Sequence, residues 1–233
     1  MGTPILKSNP KARDLRRVET GAGQGDAIGE ASLLCRMKVA LICSQKCPGD
    51  VILKTYDFAR LVRGSGIAVV SGFHSPIEKD CLPILLRGPG PVIIVQGHRL
   101  SGSRLPREWQ KVIDAGRLLL LSPFVAAVSD RRRRSESAAT TPNRAKRVTA
   151  KLAAERNRFV AAISDEVLVP YAAPGSKTEA LALDLLKSSK RIYTFSDRPG
   201  PLLDAGAKLI APDFFISQSA AVPRKATLAR GTS

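Results

Sequence analysis

From Met37 onward, short apolar runs alternate with longer amphipathic stretches. The runs are Lys38-Val39-Ala40-Leu41-Ile42-Cys43, Ile67-Ala68-Val69-Val70, Val92-Ile93-Ile94-Val95, Leu118-Leu119-Leu120-Leu121, Glu166-Val167-Leu168-Val169 and Arg191-Ile192-Tyr193-Thr194-Phe195. They are apolar on successive residues and rich in branched side chains, as strands covered on both faces are. Between them the spacing predicts helices over residues 51–62, 76–86, 106–115, 148–163 and 178–186. Pro76 and Pro106 suit first helical turns, and Gly64 and Gly116 suit helix exits. Repeated strand–helix units of this kind predict an α/β fold: a Rossmann-like, doubly wound, mostly parallel six-stranded sheet with helices on both faces.

The rhythm is absent in three places. Residues 1–34 carry isolated charges and a turn-prone Gly21-Ala22-Gly23-Gln24-Gly25 run, which reads as a mobile basic arm. Residues 125–147 contain Arg131-Arg132-Arg133-Arg134 followed by Ser, Ala, Thr and Pro, and read as a mobile basic insertion. Residues 217–233 show no core-forming pattern and read as a flexible tail. The remaining span, 35–216, is read as one domain.

Composition sharpens this picture. Aromatic residues are 5% of a chain that is 44% hydrophobic, so the core is expected to consist of Val, Ile, Leu and Ala, against an aromatic-rich β-sandwich. Lys and Arg number 37 against 20 Asp and Glu, a net charge of +17. Such an excess attracts polyanions, with nucleic acid the first candidate and an anionic membrane surface the second. Cys35, Cys43, Cys47 and Cys81 lack the second Cys/His pair of a metal site and read as reduced thiols, so neither a metal nor a cofactor is expected. No signal core or membrane-length apolar run is present, which gives the expectation of a cytoplasmic protein without membrane contact.

In parallel sheets, ligands sit beyond the carboxyl ends of the strands. Those positions are Ser44 and Gln45, then Ser71-Gly72-Phe73-His74, Gln96-Gly97-His98, Ser122-Pro123 and Ala173-Pro174-Gly175-Ser176. Small residues there let backbone amides approach a phosphate, although the same residues also build ordinary turns. Pro174-Gly175-Ser176-Lys177-Thr178 lacks the Walker spacing, yet a Gly-Ser turn entering a helix can still hold a phosphate, or Ser176 can simply cap that helix. In the helix over 148–163, Val148, Leu152, Phe159 and Ile163 share a face bordered by Arg156, while Arg158 projects elsewhere. Glu155 falls in the apolar stripe, where it needs an arginine partner or a later helix start.

These residues resemble the DNA-processing protein A (DprA/Smf) family over most of Met37 to Phe215. Val39-Ala40-Leu41-Ile42-Cys43-Ser44-Gln45 is similar to the family's opening strand and turn. Val69-Val70-Ser71-Gly72-Phe73-His74-Ser75-Pro76-Ile77-Glu78 is similar to its Val-Val-Ser-Gly-x-Ala-x-Gly-Ile-Asp segment. Arg156-Asn157-Arg158-Phe159 with the following strand matches its Arg-Asn-Arg helix, and Gly175-Ser176-Lys177-Thr178-Glu179-Ala180 resembles its Gly-Ser-x-x-Thr-Ala turn, one residue shorter. The resemblance implies a core domain without a winged helix that binds single-stranded DNA, often as a homodimer, and delivers it to a RecA-type recombinase in DNA processing, recombination or natural transformation. Ser75 stands where the family commonly has a phosphate-contacting arginine, and His74, Lys79 or the Arg131–Arg134 run are the substitutes at hand.

The candidate DNA- and phosphate-binding residues are therefore Ser44, Ser71, Gly72, His74, Lys79, Arg156, Asn157, Arg158, Gly175, Ser176, Lys177 and Thr178, with no catalytic residue and no enzymatic activity expected. The alternative is a related nucleotide-handling domain, either a sensor or a phosphoribohydrolase-like enzyme. Those enzymes place a glutamate three residues after a threonine, whereas Glu179 directly follows Thr178.

Overall fold

The computed structural model describes residues 14–101, 105–124 and 150–221. The insertion read over 125–147, with its Arg131–Arg134 run, lies outside the described residues, as do residues 1–13 of the arm and 222–233 of the tail. The described chain opens with β1 (Arg16–Thr20), β2 (Gly23–Gly29) and a 3-10 turn (Ala31–Cys35). It continues through β3 (Lys38–Leu41), α1 (Gly49–Val62), β4 (Ala68–Ser71), α2 (Pro76–Leu86), β5 (Val92–Val95), α3 (Arg107–Asp114) and β6 (Leu118–Ser122). After the undescribed span come α4 (Ala150–Ile163), β7 (Glu166–Leu168), α5 (Lys177–Lys187), β8 (Ile192–Thr194), α6 (Pro201–Asp204), β9 (Lys208–Leu209) and α7 (Phe214–Ala221).

One nine-stranded sheet has the order β1-β2-β6-β5-β4-β3-β7-β8-β9. The six predicted strands are all present and mutually parallel, with β9 extending the parallel set. The order reverses between β3 and β7, which are paired Val39↔Glu166 through Leu41↔Leu168. Here successive crossovers leave in opposite directions, so the loops after the two strands part and leave a crevice. Helices cover both faces. Val39, Leu41, Val69, Ile94 and Leu120 pack against α1, α2, α3 and α7, whereas Ala40, Ile42, Val70, Ile93 and Leu121 pack against α4, α5 and α6. Alternate residues of one strand thus serve two cores, the physical reason the runs are apolar without a break.

Three features depart from the sequence reading. Residues 16–29 are not a mobile arm: β1 and β2 form an antiparallel hairpin, and β2 pairs antiparallel with β6, Asp26↔Ser122 through Gly29↔Leu119. Its glycines hide a strand by withholding side chains where backbones crowd. A Cβ on Gly25 would stand 3.0 Å from the Ser122 carbonyl oxygen, while Ala27 and Ile28 are buried. The core also contains an aromatic cluster. Phe58, Tyr193, Phe195, Phe214 and Phe215 meet with centroids 5.0 to 6.1 Å apart, which ties α7 onto α1 and β8. Finally, α7 carries helix to Ala221, past the residue-216 boundary drawn for the tail. Among the described residues no helix is long and apolar enough to cross a membrane.

Gly29 tests the hairpin's docking. It has φ +113°, and a Cβ there would collide with the Leu118 carbonyl oxygen. Gly29→Ala is expected to destabilise the protein by roughly 2 kcal/mol, combining backbone strain with displacement of β2 from β6. A urea melt with an unchanged midpoint would show that the hairpin does not contribute to the cooperative unit.

Candidate nucleic-acid interface

The loop after β4 is organised by one carboxylate. Ser75 caps α2, its hydroxyl accepting from the Glu78 amide at 3.3 Å, and Pro76 occupies the first turn. Glu78 turns back beneath the loop: its Oε1 accepts from the Cys43 amide at 2.8 Å, and its Oε2 from the His74 amide at 2.8 Å, the Ser75 amide at 3.4 Å and the Ser71 hydroxyl at 3.3 Å. The Ser71 hydroxyl also accepts from the Phe73 amide at 3.0 Å, and Phe73 holds φ +48°. This is an amide nest of the kind that binds phosphate. Here it is filled by the protein's own anion.

The charge of that buried carboxylate has its counterpart in Arg156. Arg156 is 3% exposed, lies against Gly72, and donates from Nη2 and Nε to the Asn157 side-chain oxygen at 2.9 and 3.2 Å. A Cβ on Gly72 would come within 2.6 Å of the guanidinium carbon, so any side chain there would displace the arginine from its present position. Burial lowers the Arg156 pKa, and Glu78 opposes the shift. The carboxylate whose charge acts on Arg156 is thus Glu78, in the first turn of α2. Glu155, half-buried on α4, lines an open groove together with Arg158.

At the crevice between β3 and β7, Ser44 is likewise committed. Its amide donates to the Tyr171 carbonyl at 3.1 Å, and its hydroxyl accepts from the Ala173 amide at 2.9 Å and stands 3.2 Å from the Ser176 hydroxyl. Ser176 caps α5 by accepting from the Glu179 amide at 3.1 Å. The Glu179 carboxylate closes the turn by accepting from the Gly175 amide at 2.7 Å, with Gly175 at φ +68°. Glu179 therefore serves as a helix-entry clamp. Beside it, a cleft of about 190 Å³ is lined by Tyr171, Thr194, Ser196, Arg198 and Leu202, with Arg198 paired to Asp50 at 3.0 Å.

The structure thus divides the sequence candidates. Ser44, Ser71 and Arg156 are buried, and Gly72 lies beneath the arginine. The expectation that their hydroxyls, amides and guanidinium face a phosphate meets groups already bonded within the protein. Asn157, Ser176 and Thr178 are half-buried, whereas His74, Lys79, Arg158, Gly175 and Lys177 are exposed. Crowding of the ring, followed by repulsion from Arg156 and Lys79, lowers the His74 pKa from its ordinary 6.5. Two exposed cations were missed, Lys46 after β3 and Arg99 after β5. Their positions one or two residues beyond the small-residue turns were the available signal. Glu78 was missed as an organising residue, although Ser75-x-x-Glu78 is a legible capping box. Of the cysteines, Cys43 and Cys81 are buried, Cys47 is half-buried and Cys35 exposed, all as free thiols. No cluster of three or more metal-ligating residues occurs among the described residues.

No family model matches the chain, and no curated protein does. Solved structures do. The DNA processing protein A of Helicobacter pylori, described for its unique single-stranded DNA binding mode, superposes with TM-score 0.60 at 23% identity, covering 93% of this chain and 94% of that one. The DNA processing protein A (DprA) of Streptococcus pneumoniae superposes with TM-score 0.56 at 19% identity, covering 83% of this chain and 66% of that one. The chain shares the Rossmann-like fold of these DprA proteins, as the sequence resemblance implied.

Removing the Glu78 carboxylate leaves three loop amides and a hydroxyl without their acceptor. Glu78→Ala is expected to cost roughly 3 kcal/mol or more, and Glu78→Gln about half as much, since one oxygen remains to accept. Equal melting temperatures for wild type and the alanine variant would contradict this account of the loop.

Proposed function

We propose that this chain binds single-stranded DNA along the carboxyl rim of its sheet, as a DprA-like protein without catalytic activity. The observation that carries the reading is the placement of exposed cations: Lys46 follows β3, Lys79 lies in the first turn of α2, Lys177 opens α5, and Arg158 stands on α4. Each comes from a different element, and all accompany the +17 charge of the chain. Long, exposed Lys and Arg side chains suit phosphates at irregular spacing, where the bonded interior groups do not. Gly175, Ser176 and Thr178 at the α5 entry, with Asn157, then contribute by placing Lys177 and the arginines. Likeness of fold to a protein described as binding single-stranded DNA supports the same reading. Homodimerisation, handover of the strand to a RecA-type recombinase, and a cytoplasmic site of action in recombination or transformation are the further parts of this proposal. The phosphoribohydrolase-like alternative is disfavoured by Glu179, whose carboxylate is held on the Gly175 amide.

Binding of a mixed-sequence single strand is expected to weaken steeply with salt. Contacts from Lys46, Lys79, Arg158 and Lys177 give a log–log slope of about −3, at about 0.7 per phosphate for single strands. Lys79→Ala and Lys177→Ala should each flatten it by about 0.7 without altering the melting temperature. A slope near zero in wild type would overturn the proposal.

His74 supplies a pH arm. Its lowered pKa keeps the ring neutral near pH 7, so it adds a cation only as pH falls below its ordinary 6.5. Affinity should rise on that acidification in wild type and stay level in His74→Gln; an equal rise in both would place the titrating group elsewhere.

A further inference from the structure

Cys43 and Cys81 are buried in the core layer that α1 and α2 cover, and Cys47 packs against that layer from the loop between β3 and α1. Cys43 and Cys47 flank the stretch Ser44-Gln45-Lys46, and their side chains are hydrogen-bonded to each other. The backbone is pinned on both sides of that stretch. The Cys43 amide donates to Glu78 Oε1 at 2.8 Å and the Ser44 amide to the Tyr171 carbonyl at 3.1 Å. Beyond Cys47, Pro48 caps α1, its carbonyl accepting from the Ile52 amide at 3.0 Å. The fold itself therefore holds the two sulfurs together.

Their surroundings give them different roles. Cys47 is half-buried, whereas Cys43 is covered by the core. Hydrogen bonding to Cys43 lowers the Cys47 pKa, and the positive charge of Arg198 acts in the same direction, against burial and the nearby Asp50. The same hydrogen bond raises the pKa of Cys43, followed by burial and the negative charges of Cys47 and Glu78. Cys43 thus keeps its proton while Cys47 carries thiolate character, the form that attacks electrophiles. Cys81 stands in contrast. Its thiol donates to the Thr55 carbonyl at 3.9 Å, and burial pushes its pKa up to about 12.

We propose that Cys43 and Cys47 form a peroxide-sensitive dithiol, in which Cys47 is oxidised first and Cys43 resolves it into an intramolecular disulfide. The Cys47 thiolate attacks one oxygen of hydrogen peroxide. The S–O bond forms, the O–O bond breaks, and the leaving hydroxide takes a proton from solvent to become water. The Cys43 sulfur then attacks the sulfur of the Cys47 sulfenic acid: the S–S bond forms, the S–O bond breaks, and hydroxide departs with the Cys43 proton as a second water. Two thiols give up two electrons, and one peroxide is reduced to two waters. The ring so closed runs from Cys43 to Cys47 and contains Lys46, one of the exposed cations of the rim. Because Glu78 holds the Cys43 end, closing the sulfurs to the about 2 Å of a disulfide moves the Gln45–Cys47 side. The dithiol stands independently of whether the rim binds a single strand.

The test uses the full chain, reduced with dithiothreitol, desalted, exposed to equimolar hydrogen peroxide at about pH 7, then denatured in N-ethylmaleimide and weighed by mass spectrometry. Wild type is expected to lose two of its four maleimide-reactive thiols. Trypsin, cutting after Lys38, Lys46 and Lys54, should release residues 39–46 and 47–54 as one linked pair that dithiothreitol separates. Cys47→Ser should keep all its remaining thiols reactive. Cys43→Ser leaves Cys47 without its resolving partner and should accumulate a sulfenic acid that dimedone captures on the 47–54 peptide. The wild-type peptide map decides the matter even if Cys43→Ser fails to fold. Four reactive thiols surviving in wild type, a linkage through Cys35 or Cys81 in place of the pair, or an undiminished loss of thiols in Cys47→Ser would each overturn the proposal.

Discussion

The Glu78 carboxylate is acceptor to two loops and one helix entry at once, and much of the rim follows from it. By holding the Cys43 amide it fixes the end of β3, and by holding the His74 and Ser75 amides it fixes the turn out of β4. A buried anion is tolerable only where donors and a positive charge surround it. Three amides and a hydroxyl supply the donors, and Arg156, drawn over Gly72, supplies the charge. The arginine of the Arg-Asn-Arg helix is thereby spent on the interior. The anion site after β4 thus carries its own anion, and the side chains left open around it are the exposed ones.

That division explains what the sequence made legible. The six parallel strands and five principal helices follow from apolar periodicity, because strands buried on both faces cannot be anything but apolar runs. α2 was readable to the residue, since Ser75, Pro76 and Glu78 announce its start and a strong local signal needs no tertiary help. The β1–β2 hairpin was not readable. Gly25 and Gly29 lie where the backbone of β6 crowds a strand, a fact of the partner and not of the segment. α7 was missed for a related reason: Phe214 and Phe215 are neighbours in sequence, and only the aromatic cluster shows what they bury against.

At the candidate interface the sequence shows which residues follow the strands, but not which of their groups the fold already bonds. Small polar residues after the strands suit a phosphate by type, yet Ser44, Ser71 and Ser176 accept from backbone amides of the protein. A hydroxyl in a turn has local donors within reach before any ligand arrives. Exposure is a property of the folded rim, so Lys46 and Arg99 emerge only when the loops are seen side by side. Arg156 and Arg158, two residues apart in sequence, serve opposite purposes, one covered and one open, because successive helix positions point about 100° apart.

The pairing of β2 with β6 also constrains how the chain is made. Asp26 meets Ser122, and Gly29 meets Leu119. The amino-terminal hairpin therefore leaves the ribosome long before the strand that receives it, and an isolated two-stranded hairpin is at best marginally stable in water. During synthesis, β3, β4 and β5 can associate as they emerge, since each is a sequence neighbour of the next. The hairpin must wait with its inner edge unpaired until β6 is complete, and its docking becomes a late, long-range event in folding.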